Sequence, residues 1–120
     1  MKREMELIRS MSFALEESPA GFAPGEAKFD GFSPEEVGYH AHLMMQAGLA
    51  EGFDNTPVGS GPRQAILTGL TWQGHEFIDT ARDETRWKKA MVLVQEKGGS
   101  VSLAVLTELL KNLMRGAFGL

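Results

Sequence analysis

The chain has 120 residues, no cysteine and a formal net charge of −4. That length supports one domain with a core, and the lack of thiols excludes disulfides, thiolate zinc sites and cysteine nucleophiles together. No apolar run approaches the roughly 18 residues of a membrane span, and Met1-Lys2-Arg3-Glu4-Met5-Glu6 carries acids where a signal peptide would carry an apolar segment, so a cytoplasmic protein is expected.

In chain order, Met5, Ile8, Ser12 and Leu15 recur at helical spacing with Leu7, Met11 and Ala14 on neighbouring rows, predicting a helix from Arg3 to Glu17. Ser18-Pro19-Ala20-Gly21 ends it, because proline disfavours helical geometry in the residue before it. Residues 22–32 read as loop, with a short strand around Ala27–Phe29. Phe32-Ser33-Pro34-Glu35-Glu36-Val37 is the clearest local signal. Ser33 is an N-cap, Pro34 stands at the first helical position, Glu36 completes a capping box, and Phe32 and Val37 take the staple positions. The helix that follows runs over about 34–47. At 100° per residue, Val37, His40, Ala41, Met44, Ala47 and Gly48 fall on one face and Glu35, Gly38, Tyr39, His42 and Gln46 on the other. Gly48 suits the C′ position, with Leu49 packing back.

Leu49–Asp54 and Gln64–Leu70 are short strand-like runs joined by a polar, glycine-rich stretch, and predict a hairpin with a long tip. Thr71 caps a helix carrying Phe77, Ile78 and Ala81. The apolar phase breaks before Trp87, which places a kink or a new helix near Asp83 with Trp87, Ala90, Met91 and Val94 inward. Lys97-Gly98-Gly99 stops that helix. A last helix, Ser102 to Arg115, carries Leu103, Leu106, Leu110 and Leu113 along one stripe. This stripe is covered either by helix 1 of the same chain, at Ile8 and Leu15, or across the two-fold axis of a homodimer.

The spacing His40-Ala41-x-x-Met44-x-x-Ala47-Gly48-Leu49 resembles the recognition helix of bacterial winged-helix regulators, where a leucine usually stands at the Ala41 position. The whole chain is similar to a bacterial and phage family, domain of unknown function 2513. The likeness lies in Met1-Lys2-Arg3-x-Met5-x-Leu7-Ile8-Arg9, Tyr39-His40, Ala47-Gly48-Leu49, Leu70-Thr71-Trp72-x-Gly74-His75-Glu76-Phe77 and Lys97-Gly98-Gly99. The resemblance implies a scaffold and no activity. The expected fold is α+β, mainly α: a winged helix-turn-helix domain over 1–82 with a two-stranded wing. Extra C-terminal helices over 83–120 pack on it as one globular unit.

His40 and His42 are two residues apart, so on a helix they point about 200° apart and cannot chelate one metal together. His40, on the apolar face, reads as a hydrogen-bonded core histidine, and His75 as a locally paired residue of the following helix. No nucleophile–base–acid set and no phosphate-cradling glycine loop is present, so no catalytic residue, metal or cofactor is expected.

Two functions remain. In the first, double-stranded DNA is read by the outward residues Tyr39, His42 and Gln46, with Arg63 at the wing on a phosphate and Lys2, Arg3, Arg9 and Lys28 in support. In the second, the scaffold is a protein-interaction or assembly module, with Glu35 and Gly38 joining Tyr39 and His42 in a partner surface. Charge separates them. Residues 1–57 hold four basic side chains against ten acids, and 58–120 hold eight against six. Phosphate neutralisation drives nucleic-acid affinity, so the half with the reading helix argues against strong, generic DNA binding.

Overall fold

A computed structural model describes residues 1–22, 26–59 and 61–120. Ala23, Pro24, Gly25 and Ser60, which the sequence places in loops, lie outside the described residues. The fold is α+β and mainly helical, with five helices and one two-stranded antiparallel sheet among the described residues. Cα proximity divides the chain into two compact units, Met1–His75 and Glu76–Leu120.

In the first unit, α1 spans Met5–Glu17 and buries Leu7, Ile8, Met11, Ser12 and Leu15. Ser12 is tolerated inside because its hydroxyl donates to the Ile8 carbonyl at 2.7 Å. Helix α2 spans Pro34–Gln46. Its start is the capping box the sequence predicts: Ser33 Oγ accepts from Glu36 N at 3.1 Å, and Glu36 Oε1 accepts from Ser33 N at 3.0 Å. Its end is a Schellman turn. Leu49 N donates to Met44 O at 2.9 Å across Gly48, whose φ of 74° is the left-handed geometry glycine supplies without strain.

Strands β1 (Ala50–Asp54) and β2 (Ala65–Leu70) pair antiparallel, with a bulge between Glu51 and Gly52. Ala65 and Leu67 point into the core while Thr68 faces solvent. Phe22 forms a bridge to Leu67 on the far side of β2, with its N–H donating at 2.9 Å and its carbonyl accepting at 3.2 Å. Over 27–29 the chain forms a single β-bridge position at Ala27 and no longer strand. Helix α1 packs on α2 and β2, and α2 packs on both strands. Residues 18–33 separate α1 from α2, and the hairpin separates α2 from α3 (Trp72–Ala81).

In the second unit, Asp83 caps α4 (Glu84–Glu96) by accepting from Arg86 N at 2.8 Å. Ser102 caps α5 (Leu103–Ala117) by accepting from Val105 N at 3.2 Å. Trp87 and Ala90 are buried as expected, whereas Met91 and Val94 are half-buried. Helices α4 and α5 pack together. Of the leucine stripe, Leu106 and Leu110 are fully buried within the single chain, and Leu103 and Leu113 are half-buried. The large apolar side chains that α4 and α5 leave exposed are Val92, Leu93, Val105 and, after α5, Phe118 and Leu120. Leu106→Ala is expected to lower the unfolding free energy by about 3 kcal/mol, as cavity-forming core substitutions do. Urea denaturation followed by tryptophan fluorescence, with the buried Trp87 as reporter, measures it. No helix among the described residues is long and apolar enough to cross a membrane.

Candidate functional site

The outward stripe of α2 carries Tyr39, His42 and Gln46 at i, i+3 and i+7, which stack along one side of a helix. Gln46 is exposed; Tyr39 and His42 are half-buried. The opposite side is anchored by His40, which is fully buried. Its Nε2 lies 2.8 Å from the Glu4 N–H, which can only donate, and its Nδ1 lies 2.8 Å from the Glu36 carbonyl, which can only accept. Those partners fix the tautomer: the proton sits on Nδ1. His40 thus ties the start of α1 to α2 by accepting from the backbone N–H of Glu4, the N-cap of α1. Tyr39 meets the His40 ring edge-on at 5.9 Å.

Below the hairpin tip a closed network holds the two arms together. Asp54 Oδ1 accepts from Thr56 N at 2.8 Å and Asp54 Oδ2 accepts from Arg63 Nη1 at 3.2 Å. Thr56 Oγ1 donates to Gln64 O at 3.2 Å and accepts from Gln64 N at 3.0 Å, while Gln64 Nε2 donates to Asn55 O at 3.1 Å. The Asp54 carboxyl is held below its usual range, by Thr56 first through its side chain and then its backbone N–H; desolvation opposes this, and the charges of Arg63 and His42 act with Thr56. His42 on α2 and Arg63 on the hairpin therefore both act on one carboxylate.

A second joint lies where α2 ends and α3 begins. The Thr71 hydroxyl donates to the Gly48 carbonyl and accepts from Gly74 N at 3.0 Å, and Thr71 N donates to Leu49 O at 3.0 Å. One threonine thus caps α3 and clasps the Schellman turn of α2. Gly74 is buried there, and a Cβ at that position would run into the Leu49 carbonyl oxygen.

The model of the family described as "Hypothetical protein (DUF2513)" matches residues 2–100. The chain belongs to this family. An "Uncharacterized protein" of Haemophilus influenzae is 35% identical over 115 residues, covering 95% of this chain and 96% of its own. No solved structure matches. Most of the segments that carry the DUF2513 resemblance are consumed by the fold. Tyr39-His40 supplies the buried histidine, Ala47-Gly48-Leu49 and Thr71 with Gly74 form the joint, and Gly98 and Gly99, both at positive φ, stop α4. Trp72, His75 and Glu76 of the same DUF2513 segment stay exposed.

Among the residues expected to contact DNA, Arg63 pairs with Asp54 on the hairpin, while Tyr39, His42 and Gln46 share the stripe along α2. Arg9 does not join them: it is buried, with its guanidinium 4.9 Å from the Phe13 ring centre. Of the alternative partner surface, Glu35 is exposed but Gly38 is buried, contrary to its expected outward position. Sequence reasoning passed over Asp54 and Thr56. Their signal was an Asp two residues before a Thr at a strand end, the pattern of an Asx-turn.

Proposed function

We propose that Met1–His75 is a helix-and-hairpin module of the winged-helix type that binds duplex DNA weakly, laying α2 toward the major groove with Arg63 on a phosphate. The observation that carries this reading is the packing of α2 on both strands, which sets the helix that bears Tyr39, His42 and Gln46 beside the hairpin whose Asp54 pairs with Arg63. Gln46 suits adenine, and Tyr39 suits a phosphate or a thymine methyl. Lys2 and Arg3 are exposed just before the Glu4 N–H that His40 holds, so they begin beside α2 and add phosphate contacts. Weakness follows from charge: α2 has no Lys or Arg, and Glu35, Glu51 and Asp54 are exposed acids of the same helix and hairpin. Those acids favour the second reading, a protein-interaction module using this face without DNA.

Fluorescence anisotropy separates the two. Random and genomic duplexes are expected to bind with roughly micromolar affinity at low salt and to lose it as salt rises. Arg63→Ala should weaken all sequences alike, and Gln46→Ala should change sequence preference. No binding at low salt, or binding indifferent to salt, sinks the DNA reading and leaves the interaction module.

A further inference from the structure

We infer that Asp54 is a discriminating residue of this surface, its carboxylate holding the Arg63 guanidinium so that isolated phosphates gain little from Arg63. The inference rests on the DNA reading above. A carboxylate and a phosphate compete for the same guanidinium donors. Here the carboxylate is not a loose surface group: Thr56 N fixes one of its oxygens, and Thr56 is itself fixed on both sides by Gln64. Arg63 and Asp54 are 61% and 44% exposed, so solvent screens the pair and a phosphate can displace it. Displacement leaves the Asp54 charge facing the incoming phosphate. Only a duplex already seated on the α2 stripe makes enough other contacts to offset that repulsion. Asp54 then lowers binding to arbitrary DNA more than binding in register, which suits a module with few other cations.

The plain alternative is that Asp54 only closes the hairpin. Asp54→Asn separates the two, because asparagine keeps an acceptor for Thr56 N and loses the charge; Asp54→Ser is a second variant that keeps a turn-forming oxygen. Both are checked for unchanged thermal unfolding before use. Anisotropy on a random duplex is measured for the wild type, each Asp54 variant, Arg63→Ala and the double variants. The expected result is an affinity gain of about fivefold for Asp54→Asn at low salt, with a plot of log K against log salt steeper by about 0.9, one extra phosphate contact. The gain should vanish when Arg63 is alanine. A gain that persists without Arg63 reflects net charge alone and overturns the inference. So does no gain in variants of a wild type that binds, and in that case the DNA reading stands. If neither wild type nor Asp54→Asn binds at low salt, the DNA reading fails and the inference with it.

Discussion

Gly74→Ala is expected to destabilise the protein by about 3 kcal/mol, the scale of a strongly overpacked site. Helix propensity alone gives the opposite sign, since alanine in a helix is favoured over glycine by about 1 kcal/mol. The reversal comes from the joint. A methyl at position 74 would run into the Leu49 carbonyl oxygen and press on Leu70 Cδ2 at 3.0 Å. Backing α3 away would stretch the bond from Thr71 N to Leu49 O and the bond from its hydroxyl to Gly48. Thermal unfolding followed by circular dichroism should show a midpoint lower by about 10 °C. An unchanged or higher midpoint means that the first turn of α3 does not press on Leu49 as described.

His40→Phe should be almost as damaging, by about 3 kcal/mol, although it preserves aromaticity. Phenylalanine leaves the Glu4 N–H with no acceptor and removes the donor to the Glu36 carbonyl. An orphaned group in a buried site loses about 1–3 kcal/mol, and the larger ring adds strain. The effect should concentrate at one end of α1: hydrogen exchange at Leu7 and Ile8, in its first turn, should accelerate more than at the middle of α2. Uniform acceleration would mean that His40 does not hold the start of α1.

What was legible in the sequence was what local chemistry settles. Ser33, Pro34 and Glu36 state a helix start within four residues, and the observed cap has both reciprocal bonds. Gly48 and the Gly98-Gly99 pair state helix ends because each needs a left-handed residue. The helix break at Asp83 was readable from lost apolar phase, and Asp83 is a capping residue. Less readable was anything set by distant partners. The Phe22 bridge to Leu67 joins residues far apart, and nothing around Phe22 announces it. Gly38 lay on the outward side of a helical wheel yet is buried, because a wheel gives angle and not the width of what packs against it. The leucine stripe was read correctly as needing cover, but its covering within the chain depended on tertiary packing. At the candidate site, the outward order of Tyr39, His42 and Gln46 followed from period alone. The pairing of Arg63 with Asp54 did not, because the register and bulge of the hairpin set it.

The most direct test is a titration of isotopically labelled protein with a short duplex at low salt, followed by backbone amide and histidine ring NMR. The division between a signature spent on structure and a face left for binding predicts shifts concentrated at Tyr39, His42, Gln46, Asp54 and Arg63. The His40 ring should stay in its Nδ1-protonated form, and Thr71 and Gly74 should stay unmoved. Shifts centred on Trp72 and His75, or no shifts at saturating duplex, would contradict it.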